Sequence, residues 1–266
     1  MFAIFLPTII LTFLFFTTFF IIAQIIKNNS IVDIGWGLGF IVITLYTFLA
    51  SGSMTIRSIL VSIIVLIWGI RLAYHILKRN WGKPEDFRYA KWRQDWGKWL
   101  YIRGFFQIFM FQGLLMIIIA SPVIFINYST QPGLQLFDFI GLAVWLTGFY
   151  FESVGDAQLA RFIKNPAHKG KIMKYGLWRY TRHPNYFGEA TMWWGIYIFA
   201  LSIPQGFWFV ISPLTITFLL LFVSGVPMLE RKFADNPEFQ NYARVTPKFF
   251  PWFPKKTQSS KEENHA

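Results

Sequence analysis

The chain has 266 residues, of which 55% are hydrophobic, 20% aromatic and 14% charged. Soluble domains carry about 25% charged residues, so this composition, with a mean hydropathy of +0.43, excludes an ordinary soluble domain and reads as an integral membrane protein. The absence of cysteine excludes a disulfide frame, a thiolate nucleophile and a Cys-based zinc site. The net charge of +12 raises nucleic acid as a partner, but the placement of the charges, below, argues for a membrane surface and an anionic small ligand.

A helix needs about 20 apolar residues to cross the hydrocarbon core. Read in chain order, candidate spans run over 2–26, 31–50, 56–77, 105–126, 134–155, 186–201 and 206–228. No basic residue precedes the first apolar run, so that run reads as a span rather than a cleaved signal. The sixth segment is short, and a polar motif enters it. The split between the sixth and seventh rests on the turn-like Ser202-Ile203-Pro204-Gln205-Gly206. The expected fold is all-α and polytopic, with about seven transmembrane helices. Residues 1–254 read as a single transmembrane domain and 255–266 as a polar tail expected to be disordered.

Basic residues set the expected orientation. Eight fall between Lys78 and Arg103, seven between Arg161 and Arg182, and seven between Arg231 and Lys261, out of 25 in all. The loops at 127–133 and 202–206 have none. The positive-inside rule puts the three basic segments in the cytoplasm, with the N-terminus outside and the C-terminus inside. In that orientation Asp33, Glu152, Asp156, Glu189 and Glu230 all lie near the cytoplasmic side, and Asp138 is the exception among acids close to the spans. These acids suggest one polar cavity built from several helix ends.

The third span closes on Tyr74 and His75, either of which could donate a proton to a substrate oxygen or simply anchor the interface. Asp33 could supply or orient that proton, or sit exposed at a span boundary. Gly35-Trp36-Gly37-Leu38-Gly39 is not a dinucleotide fingerprint; close helix packing explains it better. Trp92, Trp96 and Trp99 with nearby bases read as an interfacial helix. Glu152 and Asp156 are four apart and share a helical face. With Arg161, Lys164, Lys169 and Lys171 they could bind ribose hydroxyls and phosphates, or could neutralise one another for structure.

The densest stretch is Tyr175 to Glu189, which gathers Arg179, Arg182, His183, Asn185, Tyr186 and Glu189 at the start of an apolar run. Ionisable groups at a membrane boundary are functional candidates by default. Pro184 suits a helix first turn. Asn185 and Glu189, four apart, can face one ligand, and Arg179 and Arg182 precede a helix N-terminus, which suits an anion. The bland alternative is arginines snorkelling to headgroups. The four histidines, His75, His168, His183 and His265, show no metal-ligand spacing, so no metal is expected.

Gly176-Leu-Trp-Arg-Tyr-Thr-Arg-His-Pro-Asn-Tyr-Phe-Gly-Glu189, Leu229-Glu-Arg-Lys232 and Tyr242-Ala-Arg-Val-Thr-Pro-Lys-Phe-Phe-Pro-Trp-Phe253 together resemble the steroid 5-alpha-reductase superfamily. The closest branch is bacterial, which also shares Val32-Asp-Ile-Gly-Trp-Gly37 and Arg79-Asn-Trp-Gly-Lys-Pro-Glu-Asp86 and implies an inner-membrane location. The resemblance implies NADPH-dependent reduction of an activated C=C bond in a lipid or steroid-like substrate, with no Rossmann fold. It implies nicotinamide contacts at Asn185 and Glu189, and nucleotide contacts at Asp156 and the bases after it. Wall and phosphate contacts fall at Arg179, Arg182, Tyr186, Tyr242 and Arg244, and His183, Glu152 and Glu230 complete the cofactor set. It assigns the proton side to Asp33 with Tyr74 or His75. The superfamily's Gln-Glu pair on the second span corresponds here to Val32-Asp33, which turns the doubt toward the substrate rather than the cofactor. The Arg-His-Pro-x-Tyr-x-Gly pattern is also similar to isoprenylcysteine carboxyl methyltransferases, which implies S-adenosylmethionine as the alternative cofactor. A lipid- or sterol-binding protein without catalysis is the third reading.

Overall fold

The computed structural model describes residues 2–255. From position 256 onward the predicted polar tail, with His265, lies outside the described residues. All regular structure among the described residues is helical. Six helices or continuous helical runs are long and apolar enough to cross a membrane, and the protein is an integral membrane protein. The chain begins α1 (Phe2–Ile25), α2 (Ile31–Ser51) and α3 (Ile56–Asn80), close to the expected spans.

The fourth span differs from expectation. The interfacial helix α4 (Phe87–Trp96) is followed by a short 3-10 turn, α5 (Leu100–Arg103), a π-helical segment over Gly104–Met110, and α6 (Phe111–Asn127). The run Phe87–Asn127 covers 41 residues of consecutive helical turns, with Gly97 at a φ of +46° separating α4 from the part that follows.

Helix α7 (Leu136–Lys164) also overruns its predicted end, continuing past Gly155 until Asn165, whose side chain caps the following turn. Glu152, Asp156, Arg161 and Lys164 therefore sit on one continuous helix. The predicted sixth span is α8 (Pro184–Ala200), with 17 residues. At 1.5 Å per residue that is about 25 Å, short of a hydrocarbon core of about 30 Å. The last apolar run comprises α9 (Ile211–Phe218), a π-helical segment over Leu219–Val223 and α10 (Val226–Lys232). The amphipathic α11 (Pro237–Val245) follows, capped by Asn236.

The described residues fall into two compact units, one drawn from Met1–Phe139 and Ile196–Ser212, the other from Ile140–Gly195 and Pro213–Ala266. In the first, α2 and α3 meet backbone to backbone: a Cβ on Gly37 would lie 2.7 Å from the Gly69 carbonyl oxygen. The Gly-rich start of α2 is thus a packing surface, as its spacing suggests. Asn127 closes the far end of α6, donating to Thr47 Oγ1 at 2.9 Å and accepting from Ser62 Oγ at 3.3 Å. Nearby, the Arg57 guanidinium meets the Asp138 carboxylate at 2.7 and 2.9 Å and donates to the Gly133 carbonyl at 3.0 Å.

In the second unit, α7 and α8 approach backbone to backbone at their glycines. A Cβ on Gly148 would lie 2.6 Å from the Gly188 carbonyl oxygen, and one on Gly195 would lie 2.8 Å from that of Gly141. Gly141 and Gly148 are seven apart, as are Gly188 and Gly195, the period that keeps one seam of a helix pair in register.

Candidate functional site

Two polar clusters stand out, one in each unit. In the first, the segment Lys83–Asp86 docks onto residues 28–33. Glu85 accepts from the Asn29 backbone at 2.6 Å and is held by a bidentate Arg93 at 2.9 and 3.0 Å. Asp86 caps α4, and its own backbone donates to Ser30 Oγ at 2.8 Å. Burial pushes the Asp86 carboxyl upward, but the bonds from Arg88 outweigh it and hold the group below its ordinary range.

This docking delivers two partners to Asp33. The Tyr89 hydroxyl donates to Asp33 Oδ1 at 2.6 Å, and Arg88 donates to Oδ2 at 3.0 Å. Tyr89 is 4% exposed. Each carboxylate oxygen therefore has a donor, one neutral and one charged, and charge-assisted bonds of this kind are the stronger class. The segment Lys83–Asp86 thus works as a bracket that presents Arg88 and Tyr89 to Asp33. Sequence reasoning missed Arg88 and Tyr89, because a bracket between segments more than fifty residues apart leaves no local period; the one available signal was two acids beside a Phe-Arg-Tyr triplet.

Tyr74 and His75 both lie near the end of α3. Tyr74 is 60% exposed, and its hydroxyl accepts from Lys78 at 3.5 Å. His75 is half-buried and engaged in contacts of its own.

The second cluster is the Tyr175–Glu189 motif. Its first part is fixed onto α7: Trp178 Nε1 donates to the Gly155 carbonyl at 3.0 Å, and the Leu177 amide to Gln158 at 3.0 Å. Gly176 takes a φ of +61° against Gln158, a conformation that favours glycine. The middle part clamps the C-terminal segment. Arg182 Nε and Nη2 reach Glu230 Oε1 at 2.8 Å each, and Nη1 donates to the carbonyls of Ala243 and Thr246 at 3.1 and 2.6 Å. Thr181 Oγ1 donates to the Phe249 carbonyl at 2.7 Å, and the Tyr242 hydroxyl donates to the Trp178 carbonyl. Tyr242 is buried, which raises its phenol above the ordinary range.

His183 Nε2 lies 3.1 Å from Glu230 Oε1, and its ring stacks on Tyr186 at 5.7 Å. Facing a carboxylate, Nε2 carries the proton. Among the described residues, Nδ1 is then a buried acceptor with no hydrogen-bond partner. Asn185 Nδ2 donates to Asp156 Oδ1 at 3.1 Å, while its Oδ1 caps the Tyr186 amide at 3.0 Å. Asp156 and Glu152 are buried and Glu189 half-buried, and each of these acids has further contacts. Gly188 lets α8 press against the Glu152 backbone, which brings the two acidic helix faces together.

The bases sort into two kinds. Arg182 is 8% exposed and has four donor contacts inside the protein. Arg161, Lys164, Lys171, Arg179 and Arg244 are exposed. The buried arginine builds the frame of the cluster, and the other five bases keep their cationic groups at the surface.

Residues 19–246 match the family described as protein of unknown function (DUF1295). The chain belongs to the DUF1295 family. Within reach of this DUF1295 chain, an uncharacterized protein of Schizosaccharomyces pombe is 27% identical over 199 residues, covering 65% of this chain and 58% of the relative. The 3-oxo-5-alpha-steroid 4-dehydrogenase 1 of Bos taurus is 35% identical over 104 residues, and that of Homo sapiens 33% over 107, each covering 38% of both chains. The DUF1295 chain thus spans only part of the length of the curated relatives it matches. The family match and these distant similarities agree with a steroid 5-alpha-reductase-like superfamily. No solved structure matches.

Proposed function

We propose that this DUF1295 protein is a membrane-embedded, NADPH-dependent reductase of an activated C=C bond in a lipid or steroid-like substrate. The observation that carries the reading is the division among the bases of the second unit. Arg182 is locked to Glu230 and two carbonyls, whereas Arg161, Lys164, Lys171, Arg179 and Arg244 stand exposed. An exposed group of Arg and Lys suits the phosphates of a dinucleotide. The partial similarity to 3-oxo-5-alpha-steroid 4-dehydrogenases supports the reaction class.

In this reading the exposed bases hold the phosphates, and Asn185 and Glu189 orient the nicotinamide amide. The Nδ1 acceptor of His183 is available to a bound donor. When bound, NADPH supplies a hydride to the β-carbon of the activated double bond. The substrate oxygen takes its proton from a side chain, with Tyr74 and His75 as the candidate donors. Asp33, steadied by Tyr89 and Arg88, positions that proton. The basic segments then face the cytoplasm, where NADPH is available.

The test is thermal unfolding of the detergent-purified protein with NADPH, NADH or S-adenosylmethionine. A ligand at a hundredfold excess over its Kd stabilises the folded state by about 2.7 kcal/mol. NADPH should give the largest rise in Tm. A rise with S-adenosylmethionine alone would establish the methyltransferase reading instead, and no rise with any of the three would leave a lipid- or sterol-binding protein. Glu189→Gln should lower turnover far more than it lowers Tm.

A further inference from the structure

Beyond the last apolar run, the segment Phe249-Phe250-Pro251-Trp252-Phe253-Pro254-Lys255 forms neither helix nor strand, yet it is pinned along its length. Thr181 Oγ1 donates to the Phe249 carbonyl at 2.7 Å, the Trp252 amide to the Tyr180 carbonyl at 2.9 Å, and the Lys255 amide to the Val245 carbonyl at 2.9 Å. Phe187 packs on the rings of Phe249 and Phe250, and Tyr180 on Phe253. Despite this fixation Phe250, Trp252 and Phe253 are 72%, 69% and 72% exposed.

A loose tail could fold such side chains inward. A strap whose backbone is bonded at three places cannot, so its aromatics stay on the outside. Exposed aromatics held together by fixed backbone mark an interaction surface rather than scattered surface residues. The charges within and just before the strap carry one sign: Lys248 and Lys255 are exposed, and no acid occurs from 245 to 255. Trp and Phe with Lys and Arg are the composition that settles into the headgroup region of an anionic leaflet.

We propose that the Phe249–Lys255 strap is a membrane-surface anchor, with Phe250, Trp252 and Phe253 seated at the headgroup level and Lys248 and Lys255 bound to anionic phospholipid. The strap holds the C-terminal side of the Arg182 clamp against the leaflet. This assignment does not depend on the reductase reading.

The chain contains no cysteine, so Phe250→Cys and Trp252→Cys each accept one environment-sensitive fluorophore at a single place. The exposed Asp235→Cys is the control. Full-length protein is reconstituted in phosphatidylcholine vesicles with and without phosphatidylglycerol, each with a headgroup-depth spin label as quencher. Labels at 250 and 252 should emit to the blue of the label at 235 and lose more emission to the quencher, and phosphatidylglycerol should increase that loss. Lys248→Gln/Lys255→Gln should abolish the phosphatidylglycerol increment. Emission at both positions matching that at 235 would overturn the anchor. Equal quenching in the two lipid mixtures would overturn the anionic preference. Shielding that rises with the protein-to-lipid ratio would assign the strap to a second copy of the chain and overturn the lipid assignment.

Discussion

Burial holds the His183 imidazole below its ordinary range, and the nearby Glu230 carboxylate does not reverse this. The ring sits among buried residues beside Arg182, where desolvation penalises the charged form. Below its ordinary value of 6.5 the unfolded chain binds a proton that the folded chain does not. Stability is therefore full above that value and falls as pH drops toward the lower folded value, at up to about 1.4 kcal/mol per pH unit. Thermal unfolding of the protein in detergent should show Tm falling across this window, and His183→Gln should flatten the slope. An unchanged slope in the variant would remove His183 as its source. The individual residues of the motif were legible in the sequence, because Arg, His and Asn at a span boundary are costly without a purpose. Their division into buried frame and exposed bases was not. Arg179 and Arg182 look alike in sequence, and only the carbonyls of Ala243 and Thr246, some sixty residues on, distinguish them.

At the scale of elements, the glycine seam between α7 and α8 decides how Glu152 and Asp156 stand toward Asn185. Gly188→Ala would press a methyl group into the Glu152 backbone. Overpacking of this kind costs about 1–3 kcal/mol, so the Tm of the variant should fall. Gly188→Ala should also lower turnover if the seam sets the site; loss of stability with turnover intact would confine the seam to packing. The apolar runs announced the spans, since length and hydropathy are properties of one segment. The seven-residue spacing of glycines was present in the sequence too, but it acquires meaning only once the two helices are known to be neighbours. Helix α7 likewise runs on through Gly155, the expected end of its span, where a Cβ would lie 3.1 Å from Pro184 Cγ.

For the molecule as a whole, the charge distribution is the most telling property. Three segments hold 22 of the 25 bases; Arg57, one of the three outside them, is paired with Asp138, each with 1% side-chain exposure. The exception was visible in the sequence for Asp138, and its partner, eighty-one positions away, was not. Arg57→Met leaves Asp138 buried and uncompensated, a loss of about 3–5 kcal/mol for a broken buried pair. Arg57→Met/Asp138→Leu removes both charges and should recover most of the lost Tm; a double variant no more stable than the single would argue against the pairing. The Arg182 clamp has a different kind of consequence, one of timing. Its partners Glu230, Ala243 and Thr246 are translated well after the guanidinium they satisfy, and domains form in the order of synthesis. The clamp can therefore close only after residue 246 has been added to the chain. Residue 182 and the stretch 230–246 are made at different times and become one piece of structure only when the clamp closes.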